Sequence, residues 1–218
     1  MTSAQPIDVR EMAIVHRTFE RVYDEAAQLV RSAKAPTSDR ATFLADFIDF
    51  GVLMLHHHHE GEDEGLYPIL IARVPEQAAS TEGIEHEHQL VKDALDDVSK
   101  ACALWRRDPT QENGASLADA IGRLRSVLGA HTKDEEEKVV PLAAVTLSQK
   151  EWDAFGDRAV AQIPRKWKPI AFGMMLEPLN ASERELMKSK LPAPVRLLYP
   201  VLIDRAWKKY AAKLRAGS

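Results

Sequence analysis

The chain has 218 residues, with 29 Lys and Arg against 33 Asp and Glu, and its net charge of -4 argues against a nucleic-acid binder as a whole. That length holds one large domain, or one of about 150 residues with an appendage, and buries a core without disulfides or structural metal. Cys102 is the only cysteine, which excludes a disulfide framework and a Cys-rich zinc site and fits a reducing compartment. The opening MTSAQPIDVREM has no basic region followed by an apolar one, and no run of 18 apolar residues occurs, so no signal peptide or transmembrane segment is expected and the expected location is cytoplasmic. Ala, Leu, Glu, Lys and Arg dominate and β-branched runs are sparse, which predicts an all-α fold.

Residues 7–33 place Val9, Met12, Phe19, Tyr23, Ala27 and Val30 at three- and four-residue spacings, an amphipathic helix with His16 on its apolar stripe. APTSD at 35–39 reads as a turn with Thr37, Ser38 and Asp39 as candidate N-caps. A second helix runs through Leu44, Phe47, Ile48, Gly51 and Leu55, and its stripe continues into His58, Glu62 and Leu66, with Pro68 and Pro75 bracketing a frayed end. After a loop at 76–83, a third helix lines up Ile84, His88, Val91, Leu95, Val98, Cys102 and Trp105. His86 falls roughly 200° away, on the side of Asp93 and Asp97. RRDPTQENGAS breaks the pattern at Pro109 and Gly114, and a fourth helix reads Leu117, Ile121, Leu124, Leu128, His131, Glu135, Leu142.

From residue 148 the texture changes. Ser148 and Glu151 predict a capping box opening a helix through Trp152, Phe155 and Val160, and Ser182 with Glu185 predicts a second box. The chain closes with RLLYPVLIDRAWKKYAAKLR, a basic amphipathic helix with Leu198, Val201, Leu202, Trp207, Tyr210 and Leu214 against Arg205, Lys208, Lys209, Lys213 and Arg215. Such a helix packs across the bundle, or makes a peripheral membrane or protein contact. The expected organisation is a functional bundle over 1–147 and a helical C-terminal extension over 148–218 packed on or beside it.

The chemistry sits in an internal repeat. His58-x3-Glu62-x5-Pro68 on the second helix matches His131-x3-Glu135-x5-Pro141 on the fourth without adjustment. His16 precedes His58 by 42 residues and His88 precedes His131 by 43, so each helix pair supplies one His and then a His–Glu couple. Residues four apart share a helix face, and a His with a Glu there can ligate one metal or a metal pair. A lone His on an apolar stripe is more often a hydrogen-bonded core residue, and HHHH at 56–59 alone would read as a solvated run. Six polar residues at corresponding places on four stripes outweigh that reading. The stripe puts His58 inside with Glu62, His56 and His57 outside, and His59 at the margin.

These motifs, His16, HHHHEGEDEGLYP, IEHEHQLV and HTKDEEEKVVP, resemble the hemerythrin superfamily, in its bacterial HHE cation-binding branch, over roughly residues 10–145. The tail resembles, more weakly, an extension found on some actinobacterial members. The resemblance implies an antiparallel up-down four-helix bundle holding two iron ions with an oxo or hydroxo bridge. It carries the metal-ligand positions to His16, His58, Glu62, His88, His131 and Glu135, with His59, His86 and Tyr23 as further candidates. Two departures stand out. Oxygen-carrying members have a further His four residues before the one matching His88, where this chain has Ile84, and their last carboxylate stands five residues after its His, where Glu135 stands four after His131. Open coordination positions would then favour reaction with peroxide, nitric oxide or dioxygen, in an oxidative-stress or nitric oxide setting, over simple oxygen carriage. The alternatives are a non-catalytic iron- or oxygen-responsive sensor, with the frayed Gly61–Gly65 turn reporting through the tail, and a structural bundle binding zinc or nothing. Electron donor, ligand identity and oligomeric state leave no mark in the sequence.

Overall fold

The computed structural model describes residues 6–78 and 82–216. Four long helices form the body: α1 (Glu11–Ser32), α2 (Ser38–Gly65), α5 (Glu82–Arg107) and α6 (Gln111–Thr146), with α3 (Tyr67–Arg73) and α4 (Pro75–Ala78) between the second and third of them. Short connections make α2 antiparallel to α1 and α6 antiparallel to α5, whereas α3 and α4 span the longer link from α2 to α5. α2 packs on α1 and α5, and α6 packs on α5 and closes the ring on α1. Thr37 and Thr110 start α2 and α6 by accepting hydrogen bonds from the backbone N–H of Arg40 and Asn113. No strand occurs among the described residues.

The two Pro-terminated repeats fold differently. α2 stops at Gly65 and α3 starts with Pro68 in its first turn, where a missing N–H costs nothing, whereas α6 runs straight through Pro141. Gly65 lowers the cost of a break in α2, and no glycine lies between Glu135 and Pro141. The expected frayed end at 68–75 is instead helical through Arg73 and again from Pro75, and Gly61 lies inside α2. The loop expected at 76–83 is helical at 75–78 and again from 82, and its remainder, 79–81, lies outside the described residues.

Two apolar clusters fill the bundle with a polar layer between them. Phe19, Leu55, Val91 and Leu128 belong to the larger cluster, and Met12, Leu66, Ile84 and Val139 to the smaller one. On every long helix the predicted His and Glu positions fall between those two levels. A residue there is shut off from water above and below.

The extension folds back onto the bundle. α7 (Gln149–Gln162) packs on α2, α8 (Lys168–Leu176) and α9 (Ala181–Ser189) pack on α1, and α10 (Ala193–Leu197) leads through a π-helical turn at Pro200–Asp204 into α11 (Arg205–Leu214). Ser148 and Glu151 form the predicted capping box. The second box is instead Asn180 with Glu183, two residues earlier than the Ser182–Glu185 pair, because Asn180 and not Ser182 has the extended backbone of an N-cap. Ile163, Ile170, Ala171, Met174, Trp207, Ala211 and Leu214 join the larger bundle core. Arg40 ties the last helix down by donating to the carbonyls of Lys213 and Leu214 at 2.8 and 2.7 Å.

Where α8 crosses α11, Trp207 rests on Gly173. A Cβ at Gly173 would lie 2.2 Å from Trp207 Cβ and 2.6 Å from its Cγ, so the backbones approach too closely for any side chain. Gly173→Ala should cost about 1–3 kcal/mol, a fall in Tm of about 2–12 °C, with a change in Trp207 fluorescence. Thermal denaturation with an unchanged Tm would mean that the crossing tolerates a methyl group.

Candidate metal centre

Seven side chains meet in the polar layer. His59, Glu62, His88 and His131 form one group whose ligand atoms lie within 4.8 Å of one another, and His16, His58, Glu62 and Glu135 form a second. All are buried, Glu62 and Glu135 completely. Glu62 belongs to both groups: one carboxylate oxygen lies 3.1 Å from His58 Nε2 and the other 3.7 Å from His88 Nε2. Glu135 also spans them, with Oε2 at 3.2 Å from His16 Nε2 and 3.7 Å from His131 Nε2.

These approaches are close but misaligned. His16, His58, His59 and His131 Nε2, both oxygens of Glu62 and Oε2 of Glu135 make no hydrogen bond. Orphaning that many buried polar atoms in one protein layer is far outside what folded proteins tolerate, unless the atoms share a partner that is a cation. The donor set, imidazole nitrogen and carboxylate oxygen with no thiolate, suits first-row transition metals. Cys102 is buried elsewhere, in the larger apolar cluster, with its thiol pushed up to about 12 by burial.

Carboxylates outside the layer set which ring nitrogen faces inward. His16 Nδ1 pairs with Glu136 at 2.8 Å, His88 Nδ1 with Asp63 at 2.7 Å, and His131 Nδ1 with Glu87 at 3.3 Å. Each acid comes from the neighbouring helix: α2 supports α5, α5 supports α6, and α6 supports α1. An outer carboxylate on Nδ1 turns Nε2 toward the centre and strengthens it as a donor. None of the three is on an apolar stripe, yet each is adjacent in sequence to a stripe residue, which is the signal that could have found them.

Titration follows the same layout. Burial lowers His58 to about 3, with the charge on His16 adding to it, and burial lowers His131 to about 4. Burial also holds His59 well below the usual imidazole range. These rings stay neutral, the form that ligates metal. Burial opposes a charge on His16 too, but Glu135 and Glu136 outweigh it and hold it up at about 9. Burial and the nearby Glu135 raise Glu62 well above the usual carboxylate range, while His16 keeps Glu135 low against its own burial. A metal entering the layer would displace protons from His16 and Glu62.

The further candidates separate. His59 was expected at the margin and pointing away, but it stacks on His88 with ring centroids 4.4 Å apart and meets His131 edge-on at 4.9 Å. A bundle helix has two neighbours at roughly a right angle, so two successive residues can both be inside: His58 faces α1 and His59 faces α5. His86 is exposed and belongs to neither group. Tyr23 lies in the larger apolar core beside Gly51, away from the polar layer. The tyrosine at the centre is Tyr67, whose hydroxyl donates to Glu135 Oε1 at 3.0 Å and lies 3.4 Å from His88 Nε2. Its inward aim depends on the break after Gly65, which an uninterrupted stripe does not foresee. Ile84, where oxygen-carrying members have a His, is buried in the smaller apolar cluster.

Two cavities flank the layer. One of about 250 Å³ is lined by Asp63, Tyr67, Pro68 and Ile71, and one of about 240 Å³ lies beside His16, Glu20, Thr132 and Glu136. Neither the curated proteins nor the solved structures gave a match to the chain. A family model described as the hemerythrin HHE cation-binding domain matches residues 7–143, the stretch that carries all seven inward side chains. With that match over more than half of its length, the chain belongs to the hemerythrin HHE cation-binding family.

Proposed function

We propose that this is a non-heme di-iron protein that reacts with a small oxidant, namely peroxide, nitric oxide or dioxygen. The observation that carries the reading is the layer of four unpartnered imidazole nitrogens and three unpartnered carboxylate oxygens, divided into two groups joined by Glu62. In this reading His59, Glu62, His88 and His131 would hold one iron and His16, His58, Glu62 and Glu135 the other, and the cofactor would be an iron pair with an oxo or hydroxo bridge. Residues 1–147 are then the functional unit and 148–218 an extension carried on its side.

Each group offers four protein donors, against about six positions around an octahedral ion, which leaves room for a small ligand. A bound iron pair would supply up to two electrons by passing between ferrous and ferric states. Tyr67 holds a proton on Oη against Glu135 Oε1, between the centre and the cavity at Asp63 and Ile71. Burial pushes its phenol far above the usual range, so Tyr67 stays protonated, and its one proton, held on Glu135 in this structure, would turn to an arriving oxidant. The apolar clusters on either side keep bulk water out.

The test is metal content with the near-ultraviolet spectrum and turnover. Untagged protein should carry two irons per chain, with charge-transfer bands that zinc does not give, and should consume peroxide or nitric oxide. Tyr67→Phe should keep both irons and lose about 100-fold or more of that turnover. Zinc in place of iron, or two irons with no consumption of either oxidant, would sink the reading.

A further inference from the structure

Residues 193–214 form a helical rod with a wide turn at its middle, and its two sides differ. The inner side buries Ile203, Trp207, Ala211 and Leu214. The outer side leaves Leu197, Leu198, Val201 and Leu202 exposed at 80, 48, 62 and 44%. Leu198 and the two residues after Pro200 were expected on the same face as Trp207 and Leu214. The π-helical turn, closed by the Arg205 N–H on Pro200 O, adds a residue to the turn and takes that line out of register.

Val201 and Leu202 both donate their backbone N–H to Leu198 O, at 3.0 and 2.9 Å, so the four aliphatics stand on one ridge. Single exposed aliphatics are ordinary, but four within six residues are not. Arg196, Arg205, Lys208 and Lys209 are exposed around them. The only acid between 193 and 209 is Asp204, which is held by Lys208 at 2.8 Å. The ridge is thus apolar and cationic on a chain whose net charge is -4.

We propose that this ridge seats the protein on an anionic lipid surface, with Leu197, Leu198, Val201 and Leu202 in the headgroup–acyl boundary and Arg196, Arg205 and Lys209 on the lipid phosphates. Charge complementarity selects this occupant. A second copy docked by a two-fold axis would set the same cations against one another. The acidic remainder of the molecule is repelled by such a surface, so contact through this end alone sets the orientation. The inference stands whether or not the buried centre holds iron.

The experiment is co-sedimentation of the full chain with vesicles of phosphatidylcholine, with and without phosphatidylglycerol. Binding to the phosphatidylglycerol vesicles is expected, with little to phosphatidylcholine alone. Arg205→Ala should weaken it about fivefold, and Leu197→Ser with Val201→Ser about tenfold or more. Both changes are at exposed positions, so circular dichroism and metal content should be unchanged. The proposal would be overturned by no binding to anionic vesicles, by binding indifferent to the Leu197/Val201 change, or by a dimer in sedimentation that the same change dissolves. Capture of an acidic protein by the ridge without vesicle binding would overturn it as well.

Discussion

Replacing Glu62 with Leu should leave the purified protein with neither metal ion, whereas replacing His16 with Ala should remove only one. Glu62 is the residue common to both groups of inward side chains, with one oxygen toward His58 and the other toward His88. If each group holds an ion as proposed, its loss would take a donor from both. The same change should raise the stability of the metal-free form by about 1–3 kcal/mol, because both oxygens of Glu62 are buried without a hydrogen bond and leucine needs none. The opposite signs separate a site built for cations from a structural polar layer. A Glu62→Leu variant that kept full metal, or whose metal-free form was less stable than the parent, would contradict the assignment. Metal analysis and chemical denaturation of chelated protein measure the two effects.

His59→Ala should lose half of the metal, and His86→Ala none. His59 is buried against His88 and His131, whereas His86 is exposed. Even outer-shell partners change metal affinity by about 10–100-fold, so loss of a direct ligand should exceed about 100-fold for that ion. The ion that His16, His58 and Glu135 would hold in the proposed reading shares only Glu62 with this group and should stay. Full loading of His59→Ala would return His59 to a packing role and leave its group with Glu62, His88 and His131.

The repeat was legible because it needs only one helix at a time. His58 with Glu62, and His131 with Glu135, sit one turn apart on stripes whose other members are Leu, Ile and Phe, and no second element is needed to see that such pairs face inward. The all-α fold followed from a composition dominated by Ala, Leu, Glu, Lys and Arg with few β-branched runs. His59 was misplaced because a stripe has one centre whereas a bundle helix has two neighbours. Tyr67 was passed over because its direction depends on where α2 breaks, and the same spacing to proline leaves α6 unbroken.

By itself, then, the sequence determined four amphipathic helices and six of the seven inward side chains at the centre, since periodicity is a local property of a helix. The tertiary structure alone decided that His59 joins them, that Asp63, Glu87 and Glu136 each steady a histidine on the next helix, and that Tyr67 caps the centre. It also decided which side of the last rod meets water. Those outcomes depend on what stands opposite a side chain, and on a single extra residue in the turn after Pro200, neither of which the spacing along one helix encodes.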